Sequence, residues 1–182
     1  MGPRVRGDDV AVCVGRHMNS HLRPGVIAGL AVLALDQASK LWLLFVFDIA
    51  RRGALKVTPF FDLVLAWNVG ISFGWFQNDS QLAQIGLMII KAVAVIVLAI
   101  WMARSRTLIA TVALGLIIGG AIGNAIDRFA YGAVVDFALF HVQIGGITYN
   151  WYVFNLADVA IVAGVAALLY DSFLGVPAAK AP

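Results

Sequence analysis

All ten acidic residues of this 182-residue chain are aspartates. Acid–base chemistry therefore falls to Asp and to three histidines. Two acids stand in apolar surroundings: Asp136 in Val-Val-Asp136-Phe-Ala-Leu-Phe, and Asp158 in Phe154-Asn-Leu-Ala-Asp158. If a fold brings two carboxyls together where solvation is poor, both cannot ionise, and they share one proton. That state suits peptide hydrolysis. The ionised member takes a proton from an attacking water, while the protonated member polarises the carbonyl and later helps protonate the leaving amine. Spacing alone does not establish that these two meet.

Other chemistries fit less well. Cys13 is the single cysteine and lies in a basic stretch with no apolar run before it, so it reads neither as a nucleophile nor as an acylation site. Ser39 and Lys40 are adjacent, hence on different helical faces, which makes a poor Ser–Lys dyad. His141 can meet a carboxylate, but the chain has no His-x-x-x-His spacing and no Gly-rich phosphate loop after a strand. Neither a metal nor a cofactor is indicated.

Several further polar residues sit in otherwise apolar stretches, where a charge costs roughly 2.5–3.5 kcal/mol on insertion scales. Asp36 and Lys40, four apart, share one helical face. They read as an internal ion pair and, compatibly, as a strut that shapes a polar cavity. Asn124, Asp127 and Arg128 form a stripe at i, i+3 and i+4; taken alone, they read as a helix end marked by an Asp–Arg pair. Gly115, Gly119 and Gly123 make overlapping small-xxx-small patterns suited to close helix packing. Asn155 and Asp158 share a face. Lys91 pairs with an Asp or reaches an interface; its role is open.

The elements that must carry these groups are membrane helices. The chain is 62% hydrophobic and only 13% charged, with mean hydropathy +0.90. Ordinary soluble domains are about 25% charged, so a soluble enzyme or a nucleic-acid binder is excluded despite the basic balance. Four stretches are long enough to cross a bilayer: Pro24–Phe47, Leu82–Met102, Thr107–Ile126 and Asn150–Leu174. A fifth, Val57–Phe76, is broken by Pro59, Asp62, Asn68, Gly70 and Gly74 and reads as a β-like element on the membrane surface. Gly145-Gly146 marks a turn between two extended segments. On these boundaries Asp158 lies about 12 Å down the fourth span.

Basic residues set the orientation. Arg4, Arg6, Arg16, Arg23, Arg104, Arg106 and Lys180 flank one side of the spans. Fewer basic residues, over much longer loops, flank the other. Both termini are therefore expected in the cytoplasm, and loops 48–81 and 127–149 outside. Residues 1–23 read as a loose basic tail without the apolar core of a signal peptide, Met18 being a second candidate start. Residues 24–174 form the membrane domain, and 175–182 a short cytoplasmic tail. The expected fold is an all-α polytopic membrane protein with four transmembrane helices and a small β platform in the first outward-facing loop.

The ordered segments Asp36-Gln-Ala-Ser-Lys40, Asn68-Val-Gly-Ile-Ser-Phe73-Gly, Gly123-Asn-Ala-Ile-Asp-Arg128 with Gly132-Ala-Val-Val-Asp136-Phe, and Phe154-Asn-Leu-Ala-Asp158 resemble the motif set of the bacterial lipoprotein signal peptidases (signal peptidase II). The match covers roughly residues 25–170. The resemblance implies an aspartic endopeptidase of the cytoplasmic membrane. Such enzymes remove signal peptides from prolipoproteins, cutting just before a cysteine that carries diacylglyceryl. It implies Asp136 and Asp158 as the catalytic pair. Asn68, Gly70, Asn124, Arg128 and Asn155 would line or support the site, Asp36 and Lys40 would brace it, and Asp127 would assist. It further implies lipid-modified precursors and membrane lipid as partners, no nucleic acid, no cofactor, a monomer, and a site at the outer face.

Two other classes compete. Buried Asp, Lys and Asn also suit a proton-coupled transporter, but that reading expects polar residues through the whole membrane depth, and here most cluster at one side. Tyr170-Asp171 matches half of the presenilin-type signature; the Gly-x-Gly-Asp half is missing, and Asp171 falls at the cytoplasmic end.

Overall fold

The computed structural model describes residues 21–69 and 81–174. Gly70, most of the N-terminal tail and the C-terminal tail lie outside the described residues. Helix α1 (Leu22–Leu41) runs on into a π-helical turn over Trp42–Val46. There follow a single turn α2 (Ile49–Arg52), strands β1 (Leu55–Thr58) and β2 (Phe61–Asn68), and helices α3 (Gln81–Arg104) and α4 (Leu108–Tyr131). The chain closes with strands β3 (Val134–Ile144) and β4 (Ile147–Asn150) and helix α5 (Leu156–Leu174). Three of the described helices, Leu22–Val46, Leu108–Tyr131 and Leu156–Phe173, are long and apolar enough to cross a membrane. The protein is thus a mostly helical membrane protein carrying a small antiparallel sheet.

Helix α4 is the centre of the bundle and packs against α1, α3 and α5. Small residues make these contacts close. A Cβ added at Gly29 of α1 would lie 2.9 Å from the Gly115 carbonyl oxygen of α4, and one at Gly120 would lie 2.6 Å from the Ala157 carbonyl oxygen of α5. Without an aqueous driving force between helices, such backbone approach is what holds them together.

The sheet has strand order β1-β2-β3-β4, antiparallel throughout. It is larger than the platform expected from loop 48–81, because the second loop supplies β3 and β4. The Gly145-Gly146 pair, with φ of +58° and +81°, closes the β3–β4 hairpin as a tight turn open to glycine. Leu43 and Ile49 pack on Phe137 and Ala138, flanked by Phe61, Leu63 and Phe154, and this small core fastens the sheet to the end of α1.

Two expected helix boundaries are corrected. Helix α4 continues to Tyr131, beyond the expected Ile126, and stops where Gly132 takes φ +75° and donates its N–H to the Arg128 carbonyl. Helix α5 starts at Leu156 rather than Asn150. The apolar run Trp151–Phe154 stays extended because its main chain is held by β3: Trp151 N–H donates to the Phe140 carbonyl at 2.7 Å, and Phe154 exchanges hydrogen bonds with Ala138 at 3.0 and 2.8 Å. Hydropathy counts such residues as span. The pairing keeps them at the sheet, so Asp158 falls in the first turn of α5 rather than about 12 Å inside the helix.

Candidate active site

The site grows from a buried cation. Lys40, in the last turn of α1, is 1% exposed. Its ammonium lies 2.8 Å from Asp36 Oδ2, 2.7 Å from Asp127 Oδ2 and 3.1 Å from Asn124 Oδ1. A lysine ammonium has three donors, and all three are used. The expected Asp36–Lys40 pair is therefore present, but Asp127 turns to Lys40 and does not form the expected pair with Arg128. Asp127 and Arg128 are consecutive and so point about 100° apart around α4, whereas the approach of α1 offers Asp127 a dehydrated cation with a stronger need for a counter-charge.

Each of these two acids also grips a backbone N–H. Asp36 Oδ1 accepts from Ala157 N–H at 3.0 Å, and Asp127 Oδ2 from Val135 N–H at 3.1 Å. Ala157 directly precedes Asp158, and Val135 directly precedes Asp136. One ion cluster thus holds the chain beside both candidate catalytic acids. Gln37, absent from the residues singled out in the sequence, completes it by donating to Asp127 Oδ1 at 2.9 Å and the Gly123 carbonyl at 3.1 Å. Its signal was a polar side chain beside Asp36 in an apolar span. Gly123 also has a site role: a Cβ there would stand 2.6 Å from Asp36 Oδ2.

Asparagines join this cluster to the acids. Asn124 accepts from Lys40 and donates to Asp158 Oδ1 at 2.9 Å. Asn155 donates from Nδ2 to Asp136 Oδ1 at 2.6 Å and accepts the Asp158 N–H at Oδ1 at 3.0 Å, while its own N–H donates to Asp158 Oδ2 at 3.2 Å. Asn68 donates to Asp136 Oδ2 at 3.0 Å. That contact follows from sheet register: Asn68 pairs with Val134 and Ala66 with Asp136, so Asn68 and Asp136 are diagonal neighbours. Every oxygen of the two acids therefore accepts from an amide, and Asn155 contacts both.

The acids differ in surroundings. Asp136 is 2% exposed on β3, whereas Asp158 is half-buried and lines a cavity of about 970 Å³. Burial pushes the Asp136 carboxyl above the usual carboxylate range; the bond from Asn68 opposes this, the negative charge of Asp158 adds to it, and the Asn155 bond and Lys40 charge oppose it again. Arg128 lies within electrostatic reach of Asp136, Asp158 and Asp127, and donates to the Asn124 carbonyl at 3.2 Å. The cavity runs from Asn68 and Asp158, between the sheet edge at Tyr149–Phe154 and the α5 face of Val159, Val162 and Ala166. His141 borders it but meets Asp62, Nε2 to Oδ2 at 3.3 Å, and not the two acids. Two acids joined through Asn155, one of them bordering an apolar-walled cavity, make a candidate site for acid–base chemistry on a group carried by an apolar chain.

The profile of the family described as signal peptidase (SPase) II matches residues 28–174. The chain is 75% identical over 161 residues to a lipoprotein signal peptidase of Nitrobacter hamburgensis, covering 88% of this chain and 98% of that one. It is 68% identical, with the same coverage of both chains, to a lipoprotein signal peptidase of Rhodopseudomonas palustris. Among solved structures it is similar to two bacterial membrane enzymes. One has TM-score 0.68 and 26% identity over 88% of this chain and 96% of that one. The other has TM-score 0.67 and 25% identity over 86% and 97%. With α1, α4, α5 and the sheet converging on two aspartates, and with most of its length matched, this chain belongs to the signal peptidase II family, the membrane proteases that process lipoproteins.

Proposed function

We propose that this protein is an aspartic endopeptidase of the bacterial inner membrane that removes signal peptides from diacylglyceryl-modified prolipoproteins, cutting just before the lipidated cysteine. Asp136 and Asp158 are the catalytic pair. Asp158, beside the cavity, is the ionised member and takes a proton from the attacking water. Asp136, kept protonated by burial, donates a hydrogen bond to the scissile carbonyl and stabilises the tetrahedral intermediate. As the C–N bond breaks, a carboxyl proton passes to the leaving amine. The new carboxylic acid ends the signal peptide, and the new amine belongs to the lipid-bearing cysteine.

Asn155 carries this reading. One residue within hydrogen-bond reach of both carboxyls, by side chain to Asp136 and by main chain to Asp158, fixes them as a pair. Asn68, Asn124 and Arg128 support the pair, Asp36, Lys40 and Asp127 brace it, and Gly70 belongs to the same site on resemblance. The chain crosses the membrane four times, α3 supplying the fourth crossing. Its termini are cytoplasmic, its site lies at the outer face, and it acts as a monomer without cofactor. The scissile bond next to a lipid anchor sits at the membrane interface, where this end of the bundle can meet it.

The test is cleavage of a lipid-modified precursor by purified protein. Asp136→Asn and Asp158→Asn should each reduce turnover by about 10³-fold or more, on the scale of losing an essential acid or base, while both proteins remain folded in the membrane. Near-normal turnover by either variant would refute the role given to that residue.

A further inference from the structure

Among the described residues the sheet has two open edges of different character. The β1 edge carries Lys56 and is followed at once by Pro59. Both are devices that discourage a further strand from pairing. The opposite edge has neither: residues 142–157 contain no charged residue and no proline. An unguarded edge invites another extended chain.

That edge continues past β4 to the two acids. Phe154 exchanges both main-chain hydrogen bonds with Ala138, so its N–H and C=O face β3. The Val153 C=O shares a trans peptide with the Phe154 N–H and so points the opposite way, off β3. Among the described residues neither the N–H nor the C=O of Val153 has a hydrogen-bond partner. Its position is not remote: Val153 borders the same cavity as Asn68 and Asp158 and stands two residues before Asn155.

We infer that the Val153 main chain is a docking edge for the substrate's own backbone: its N–H donates to a substrate carbonyl and its C=O accepts from a substrate N–H, laying an extended peptide along the edge with the scissile carbonyl at Asp136 and Asp158. This rests on the peptidase reading above and adds to it the conformation and register of the bound chain. The occupant is a peptide rather than lipid, because the unpaired groups are one donor and one acceptor at strand spacing, which an acyl chain cannot satisfy. Two main-chain hydrogen bonds beside the dyad would stop the peptide turning about its axis, which orients one carbonyl face to the water. Recognition through backbone leaves side-chain sequence to the cavity walls, where Val159, Val162 and Ala163 admit small apolar groups.

The experiment uses the full-length protein in detergent–lipid micelles and a synthetic diacylglyceryl-cysteine precursor. Analogues carry a single N-methyl group at each amide within three residues of the scissile bond. Wild-type protein should lose about 10- to 100-fold in kcat/KM at one discrete position away from the cleaved amide, as for one unpaired buried hydrogen-bond group. Neighbouring positions should change far less. Val153→Pro, which removes the N–H, should lower kcat/KM on the unmodified precursor by a similar factor. If Val153→Pro fails to fold, the methylation scan on wild-type protein decides alone. A flat scan, or unchanged kcat/KM in folded Val153→Pro, overturns the docking edge and leaves the peptidase reading standing. Wild-type protein that leaves the unmodified precursor whole overturns the peptidase reading itself.

Discussion

Asp136 and Asp158 are chemically identical side chains made unequal by a few ångströms of surroundings. Asp136 sits on a buried strand stretch with its carboxyl raised above the usual range, chiefly by burial. Asp158 opens to the cavity. Activity should therefore hold where Asp136 keeps its proton and fall as pH rises through its raised value. The Asn68 bond and the Lys40 charge both favour the ionised form of Asp136, so removing either raises that value further. Asn68→Ala should move the alkaline limb of kcat/KM to higher pH, and an unmoved or lowered limb would contradict the assignment. The same group makes stability pH-dependent with a defined sign. A carboxyl whose folded value is raised contributes fully below its unfolded value, and that contribution is lost as pH rises through the folded one. Replacing Asp136 by Asn should flatten this fall in thermal unfolding measured across pH. The sequence exposed the two acids through their apolar neighbours. It did not expose their inequality, which depends on how deeply the fold buries Asp136 on β3 while leaving Asp158 beside the cavity.

The elements meet at the Lys40 cluster, which holds the backbone beside both acids. Asp36 on α1 holds the start of α5, Asp127 on α4 holds the start of β3, and Lys40 binds the two acids to each other. Removing one partner of a buried ion pair leaves uncompensated charge and costs about 3–5 kcal/mol. Lys40→Met should destabilise the protein by that order in thermal or denaturant unfolding, and adding Asp127→Asn should recover part of the loss. Full independence of the two substitutions would show that they do not share a cluster. Gly123→Ala tests the same joint sterically: its new methyl meets Asp36 Oδ2, an oxygen already held by Lys40 and Gln37. Overpacking of this kind costs about 1–3 kcal/mol, and the cost should appear in the melting temperature. Helical spacing made the Asp36–Lys40 pair legible, because both partners lie on one helix. Periodicity could not reveal that Asp127 would choose Lys40 over Arg128, since that depends on how closely glycines let α1 approach α4. The late start of α5 was hidden for a related reason: whether an apolar run becomes helix or strand depends on a partner strand contributed from elsewhere in the chain.

Across the molecule, polarity is concentrated at one end. The C-terminal ends of α1 and α4, the N-terminal end of α5 and the whole sheet share it. Arg104 and Arg106 mark the other end of α4, whose 24 residues span about 36 Å, enough to cross a bilayer. Positive residues favour the cytoplasmic side, so the link between α3 and α4 should lie inside and the β3–β4 hairpin outside. Single cysteines can read this in intact cells once Cys13, the one native cysteine, is replaced by Ser. Thr148→Cys on exposed β4 should react with a membrane-impermeant maleimide before lysis. Arg106→Cys, also exposed, should react only after the membrane is opened. The reverse pattern would place the two acids on the cytoplasmic side, where a precursor whose lipid anchor and mature chain lie outside could not reach them. It would remove the outer-face peptidase reading even if the pair proved active in detergent. The assay therefore separates the chemistry of the site from its placement: an amide-hydrolysing dyad needs only Asn155 and its neighbours, but a signal peptidase also needs the bundle inserted with its polar end outward.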